Sequence, residues 1–208
     1  MDLIWDGSPQ ATWTLILAHG AGAPLHSEYM QYFAQRLANQ GIQVGRFNFP
    51  YMVKAIATQR RRPPDRAPEL LAAWQEIIER VRARLASDQR LAIGGKSMGG
   101  RIASMSTQHD GVDALVCLGY PFHPPAKKDK LRIEHLADIK VPTIILQGER
   151  DNFGTREEVR GYRLPRKIKV RWLNDGDHSF KPRQRSGVTQ TENWDTAIGS
   201  IIEFLSGG

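Results

Sequence analysis

A serine, an acid and a histidine each follow a different apolar run of the sequence, in that chain order. Ser97 lies within Gly95-Lys96-Ser97-Met98-Gly99, directly after the apolar run that ends at Gly94. This G-x-S-x-G pattern is typical of a sharp strand-to-helix turn that exposes a nucleophilic serine. Glycine is expected at the flanking positions because the strained turn leaves no room for side chains there. The pattern therefore indicates hydrolase chemistry on an acyl group.

The acid and base candidates come after two later runs. Asp151 follows the run 143–148, and His178 follows the run 168–173. In a parallel sheet the carboxyl ends of the strands meet at one edge, so residues that follow different strands can converge there. We expect His178 to remove the Ser97 proton and Asp151 to hold the histidine in the required tautomer.

Each of these three residues has an alternative interpretation. Ser97 could be only a small residue in a tight turn. Asp151 could simply precede a helix that starts at Thr155, or it could lose the acid role to Glu149 two residues earlier. His178 could be an ordinary residue of a surface loop.

A turn of small residues follows the first long apolar run, 14–19. It reads His19-Gly20-Ala21-Gly22, and its backbone N–H groups can face an oxyanion. We expect the amides of Ala21 and Met98 to bind the developing negative charge. His19 is interpreted as a hydrogen-bonding residue beneath this turn, with no role in proton transfer.

The elements that position these residues alternate between strands and helices, which predicts an α/β fold. The middle strands are apolar on both faces, as in an open, mostly parallel sheet with helices on each side. The length of 208 residues favours a single domain, 1–208. The predicted strands are 14–19, 42–49, 91–95, 114–119, 143–148 and 168–173, and the predicted helices are 27–39, 68–85, 98–107, 131–137 and 191–205.

These motifs together resemble a small α/β-hydrolase, over nearly the whole chain. They are His19-Gly20-Ala21-Gly22, Gly95-Lys-Ser-Met-Gly-Gly100, Gly148-x-x-Asp151 and Gly176-Asp-His178. The resemblance implies the hydrolase fold, a Ser97, Asp151 and His178 triad, and an ester or thioester as substrate. The predicted strands are six where the full fold has eight, and the loops leave no space for a large cap domain.

A narrower resemblance is to a bacterial branch of dienelactone-hydrolase-like proteins, akin to testis-expressed hydrolase-like proteins and to a regulatory subunit of a chromatin acetyltransferase complex. Its motifs are Phe49-Pro50-Tyr51, Arg62-Pro-Pro64, the run 94–101 and Tyr120-Pro-Phe-His-Pro124. Dienelactone hydrolases use a cysteine nucleophile where this chain has Ser97, so their specificity is not transferred. Some relatives serve as non-catalytic scaffolds, which is the second hypothesis for this chain.

Basic residues are concentrated in three segments that follow predicted strands. We expect these segments to surround Ser97 and to favour acyl substrates with a carboxylate or phosphate, with Arg61, Arg62 and His123 contacting the substrate. The alternative is an ordinary solvated surface. The basic residues are Lys54, Arg60, Arg61, Arg62 and Arg66, then Lys127, Lys128, Lys130 and Arg132, then Lys181, Arg183 and Arg185.

The composition excludes several other classes of function. The net charge of +7 permits a nucleic-acid partner, but the sequence has no recognition motif and few aromatic residues among its basic loops. No histidine spacing suits a metal, and no nucleotide-binding glycine pattern occurs, so no cofactor is expected. Without a signal sequence or a long apolar stretch, and with Cys117 as the single cysteine, we expect a cytoplasmic protein. The sequence does not determine the oligomeric state.

Overall fold

The computed structural model describes residues 1–207 as a seven-stranded sheet covered by helices on both faces. The strands are β1 Leu3–Asp6, β2 Trp13–Ala18, β3 Gln43–Phe47, β4 Arg90–Lys96, β5 Ala114–Leu118, β6 Thr143–Gly148 and β7 Ile168–Leu173. Their spatial order is β1-β3-β2-β4-β5-β6-β7. Only β1 pairs antiparallel, with β3, whereas the other pairs are parallel. The prediction of an open, mostly parallel α/β sheet is confirmed.

Within residues 1–207, six α-helices and two short 3₁₀ helices lie between the strands or after the last one. The α-helices are α1 Glu28–Ala38, α2 Pro50–Thr58, α3 Ala67–Arg82, α4 Met98–Met105, α5 Arg156–Arg160 and α6 Gln190–Ser206. The 3₁₀ helices are Glu134–Asp138 and Gln184–Ser186. Within residues 1–207 no helix is long and apolar enough to cross a membrane, and no large cap domain is inserted between the elements.

The core consists of two layers, one on each face of the sheet. Successive residues of β2 alternate between them, with Ile16 in the layer beneath α3 and α4 and with Leu15 and Leu17 in the layer beneath α1 and α6. All three side chains are fully buried. This burial on both faces explains why the central strands are largely apolar runs instead of alternating polar and apolar residues.

Local sequence signals define the helices that cover the sheet. The Ser27 hydroxyl accepts a hydrogen bond from the Met30 amide at 3.4 Å and caps α1, and Asn39 ends this helix. The apolar stripe predicted for α3 is buried against the sheet, with Trp74 fully inside. The α3 helix ends three residues before the predicted boundary at 85.

Several elements differ from the sequence prediction. The edge strand β1 and the helix α2 were not predicted, and α5 was expected only as the alternative helix that starts at Thr155. Pro50 is at the first position of α2, where its fixed φ favours helix initiation, and β3 ends at Phe47, before the predicted strand end at 49. The predicted helix 131–137 forms only the 3₁₀ turn that begins at Glu134, because the Arg132 amide donates to the Phe122 carbonyl at 2.8 Å and holds that segment in a loop.

Candidate active site

Ser97 occupies the turn between β4 and α4. Its backbone has φ 51° and ψ −114°, a conformation that a non-glycine residue rarely adopts. A Cβ at Gly95 would lie 2.3 Å from the Ala18 carbonyl oxygen, and one at Gly99 would lie 2.4 Å from the same atom. Glycine is therefore required at both positions, because the turn is packed directly against the end of β2.

Three side chains from three segments form one hydrogen-bonded chain at the carboxyl edge of the sheet. The Ser97 hydroxyl lies 2.8 Å from Nε2 of His178. On the other side of the ring, Nδ1 of His178 lies 2.8 Å from Oδ2 of Asp151. An ionised carboxylate only accepts, so Nδ1 carries the proton and Nε2 is free to accept from the serine. The structure thus brings together the three residues that the sequence analysis selected.

Asp151 is the acid that contacts the histidine. Its side chain is fully buried and accepts hydrogen bonds from Nε2 of Gln147 and from the Phe153 amide, each at 2.9 Å. Glu149 points elsewhere: it pairs with Arg156 and accepts from the Asp175 amide. The helix that Asp151 was alternatively expected to precede is capped by Thr155.

His178 lies at the boundary between the protein interior and solvent, with 22% of its side chain exposed. Burial lowers its pKa below the usual 6.5, and the hydrogen bond to Asp151 opposes this shift. The Phe153 ring packs against the imidazole, with ring centroids 4.3 Å apart. The base is therefore neutral, and able to accept a proton, at neutral pH.

The two amides expected to bind an oxyanion have no competing partner. Within residues 1–207 neither the Ala21 amide nor the Met98 amide donates a hydrogen bond to another group of the chain. Ala21 and Ser97 line the same cavity. Met98 is the first residue of α4, where the free N–H groups of the helix terminus favour negative charge.

The turn that contains Ala21 is held from beneath by His19 and Tyr51. His19 is fully buried, donates from Nδ1 to the Gly20 carbonyl at 2.6 Å and accepts at Nε2 from the Phe49 amide at 3.1 Å. The Tyr51 hydroxyl donates to the Ala21 carbonyl at 3.1 Å. Both ring nitrogens of His19 are occupied and burial lowers its pKa, in agreement with a structural role.

Ser97 lines one cavity, and a second cavity adjoins the first at Ala21 and Gly22. One, of about 340 Å³, is lined by Ser97 and His178 together with Tyr29, Met30 and Phe153. We call it the acyl pocket. The other, of about 700 Å³, is lined by apolar side chains of α2 and by Arg60, Arg61 and Arg62. We call it the arginine groove. Ala21 and Gly22 line both cavities and form the wall between them.

The structure corrects the prediction for His123. This side chain is fully buried, with its ring nitrogens near the Pro124 carbonyl at 3.0 Å and the Glu158 carboxylate at 3.4 Å. It therefore has no surface on which to contact a substrate. The Tyr120–Pro124 motif packs inside the protein instead of lining the site.

The structure also shows which of the three basic segments lie at the site. Of the three basic segments, only the one that contains Arg61 and Arg62 lines either cavity within residues 1–207. Lys128 pairs with Glu158 at 2.7 Å, and Arg183 forms an ion pair with Asp175. The expectation that all three segments surround Ser97 is therefore wrong.

Sequence reasoning missed three residues that support the site: Gln147, Phe153 and Tyr51. Gln147 is a buried polar residue within the apolar strand β6, and it accepts from the Tyr120 amide at 2.8 Å while it donates to Asp151. A glutamine within such a run was the signal available in the sequence. Among residues 1–207 no cluster of histidine, cysteine and acidic side chains could hold a metal.

The parallel sheet, the strained serine turn after β4 and the small inserted loops define the architecture of an α/β hydrolase without a large cap. Comparison with known families agrees with this class. The model of the alpha/beta hydrolase domain family matches residues 11–206, and the chain belongs to that family.

Solved structures with low sequence identity share this fold. An a/b serine hydrolase without lid from Xanthomonas campestris is 19% identical, with a TM-score of 0.73 over 99% of this chain and 88% of that one. Est1E from Butyrivibrio proteoclasticus is 11% identical, with a TM-score of 0.70 over 98% and 94% of the two chains. A dienelactone hydrolase from Anabaena variabilis is 18% identical, with a TM-score of 0.66 over 99% and 91%.

Proposed function

We propose that the protein is a serine hydrolase that cleaves carboxyl esters or thioesters through an acyl-enzyme on Ser97. The observation that carries this proposal is the unbroken chain of hydrogen bonds from the Ser97 hydroxyl through His178 to the buried Asp151. A serine hydroxyl is a weak nucleophile until a base accepts its proton, and this geometry supplies the base and the group that orients it.

In the proposed mechanism the Ser97 oxygen attacks the acyl carbon while Nε2 of His178 takes the hydroxyl proton. Asp151 stabilises the imidazolium that forms, and the Ala21 and Met98 amides donate to the developing oxyanion. The tetrahedral intermediate collapses, the bond to the leaving group breaks, and His178 gives its proton to the departing alcohol or thiol. Water, activated by the same histidine, then releases the acyl group as an acid and restores Ser97.

The acyl pocket favours a substrate whose acyl chain is small and partly apolar. Tyr29, Met30 and Phe153 supply apolar walls, and the volume of about 340 Å³ is near the lower end for ligand sites. We further propose that the substrate is a small molecule, that residues 1–208 act as one domain, and that the narrower resemblance to dienelactone-hydrolase-like proteins holds.

The proposal is tested by labelling with a fluorophosphonate probe, which reacts with activated serines and needs no knowledge of the substrate. We expect the probe to modify Ser97, as identified by peptide mass spectrometry. The labelling rate should fall as the pH drops through the pKa of His178, because the protonated ring cannot accept the serine proton. Since burial lowers that pKa, the midpoint of the decline should lie below pH 6.5.

Two outcomes would contradict this proposal. If the folded protein shows no labelling between about pH 6 and pH 9, the result would favour the scaffold hypothesis. A histidine of ordinary pKa is neutral over most of that range. Labelling at a serine other than Ser97 would place the nucleophile elsewhere.

We also propose that the arginine groove selects acyl substrates that carry a carboxylate or phosphate. Arg60, Arg61 and Arg62 are exposed, and their side chains form no ion pair or hydrogen bond within residues 1–207. Guanidinium groups bind carboxylate and phosphate in bidentate geometry, and unpaired ones beside an active-site entrance attract anions. The groove shares Ala21 and Gly22 with the acyl pocket, so a bound anion would lie close to the reacting carbonyl.

Changing Arg61→Gln and Arg62→Gln together should lower kcat/KM about tenfold for an ester with a terminal carboxylate, because the attractive field is lost. A neutral ester of equal acyl length should be unaffected. The measurement compares p-nitrophenyl monoesters of a dicarboxylic acid with neutral p-nitrophenyl esters at low and high salt, since screening weakens only the charged interaction.

The matched control for this change is the pair Arg163→Gln and Arg166→Gln, which removes the same charge. Both residues are exposed and precede β7, at the opposite edge of the sheet from Ser97. Equal salt sensitivity of the two esters in the unaltered protein, or an equal loss with the control pair, would contradict a local role for the groove.

A further inference from the structure

Lys96 lies between the nucleophile and the base. It is the last residue of β4, immediately before Ser97, and its ammonium donates a hydrogen bond to the main-chain carbonyl of His178. It also lines the acyl pocket. A single side chain thus joins the strand that carries the serine to the loop that carries the histidine.

The ammonium of Lys96 is enclosed by aromatic rings. Its Nζ lies 5.3 Å from the centroid of the Tyr29 ring and 5.5 Å from that of Phe180, distances at which a cation is attracted to the ring faces. On another side it meets Gly119, where an added Cβ would lie 2.7 Å from Nζ and 3.0 Å from the His178 carbonyl oxygen. Within residues 1–207 this ammonium has no ion-pair partner.

Lys96 is half-buried, and a cation withdrawn from water without a carboxylate partner is costly, since lysines normally extend the ammonium into water. Two features compensate here: the carbonyl of His178 and the two ring faces. Two of these three contacts depend on the position of the loop after β7, since His178 and Phe180 belong to it, whereas Tyr29 belongs to α1. A shift of the loop that carries His178 would therefore remove contacts that stabilise the Lys96 ammonium.

We propose that Lys96 is a positioning residue that fixes the main chain of His178 and thereby holds the imidazole within reach of Ser97. This inference rests on the proposed function and adds to it a residue that touches neither the serine hydroxyl nor the imidazole nitrogens. Displacement of the base by about 1 Å can cost up to about 100-fold in rate, so such an anchor has a measurable effect.

The charge of Lys96 has a second consequence. Its field opposes protonation of His178 and contributes to the lowered pKa of that ring, whereas Asp151 and Asp177 act in the opposite direction. Burial lowers the pKa of Lys96 itself to about 8, with the same two aspartates opposing the shift. Tyr29 is the other titratable group at the ammonium, and burial raises its pKa well above the usual value, so it stays neutral.

The test is Lys96→Met, which removes the charge and the donor but keeps a flexible apolar chain. With a neutral p-nitrophenyl ester we expect kcat to fall about tenfold with KM changed less than about twofold, because the loss affects alignment and not binding. The acid midpoint of the rate profile should move to higher pH, since a nearby positive charge is gone. The unaltered protein should lose activity again near pH 8, and Lys96→Met should lack that inflection.

Lys96→Arg is the conservative rescue, because it keeps a charge and a donor. It should retain the acid midpoint of the unaltered protein and recover most of kcat. If Lys96→Met fails to fold, Lys96→Gln tests the loss of charge alone. The acid midpoint of its rate profile should move to higher pH, as expected for Lys96→Met. Thermal melting of each variant separates a loss of stability from a loss of alignment.

A Lys96→Met protein with unchanged kcat and an unmoved acid midpoint would overturn this inference while Ser97 labelling still supported the proposed function. A merely structural lysine would lower the melting temperature and leave the midpoint in place, which also overturns it. Absence of Ser97 labelling in the unaltered protein would overturn both proposals at once.

Discussion

Replacing Ser97 by alanine removes turnover, with kcat for a p-nitrophenyl ester expected to fall by about 10⁴-fold or more. The change deletes one oxygen atom, the one that lies 2.8 Å from Nε2 of His178. Without it no acyl-enzyme can form, and the oxyanion donors alone supply the residual rate. The measurement is steady-state hydrolysis, supported by intact-protein mass spectrometry, which should show no probe adduct.

Ser87→Ala is the matched control, since Ser87 is exposed in the loop between α3 and β4. We expect Ser87→Ala to hydrolyse the ester at the rate of the unaltered protein. Ser97→Ala should not destabilise the fold. Within residues 1–207 the serine hydroxyl has no hydrogen-bond partner other than His178, so the change removes only that bond. Hydrolysis at the full rate by Ser97→Ala would show that another group performs the chemistry.

Replacing Asp151 by asparagine is expected to lower kcat by about 10⁴-fold while the fold is kept. The carboxylate accepts the proton that Nδ1 of His178 donates at 2.8 Å. An asparagine amide turned toward the ring would donate instead, which moves the ring proton to Nε2. The imidazole would then be unable to accept the Ser97 proton, although every side chain remained in place.

Glu149→Gln provides the control that the sequence itself suggested. Glu149 pairs with Arg156 and does not contact His178, so its change should alter kcat by less than about twofold. Measured kcat values and melting curves for both variants distinguish the two acids. A loss with Glu149→Gln as large as that with Asp151→Asn would contradict the assignment of the acid.

Much of the fold was predictable because its signals are local. Five helices were expected, and α1 falls within one residue of its predicted ends, since the Ser27 cap and the Asn39 terminus can be read from the chain. The strands β6 and β7 match their predicted bounds, because turn residues follow both; β6 is a largely apolar run, whereas in β7 Lys169 and Arg171 alternate with apolar residues. The missed strand β1 lacks such a signal, because it is a four-residue edge strand whose partners lie about 40 residues away in sequence.

The errors at the site have one physical origin. His123 was expected to contact the substrate, but the loop after β5 turns inward and buries the ring. The basic segments 127–132 and 181–185 also follow strands, yet they line neither cavity, and Lys128 and Arg183 pair with Glu158 and Asp175. The position of a residue in the sequence shows which strand it follows and therefore at which edge of the sheet it lies. It does not show whether the loop directs the side chain toward the cavity or away from it.

The sequence alone determined the order and the placement of the reactive groups. A glycine-flanked serine after one apolar run, with an acid and a histidine after two others, is sufficient to bring them to one edge of a parallel sheet. Only the tertiary structure decided that Asp151 and not Glu149 meets the imidazole, that Gln147 holds that acid, and that Lys96 anchors the histidine loop. These contacts join residues that lie four to more than 80 positions apart, and their geometry depends on how turns are packed against one another and not on any local pattern.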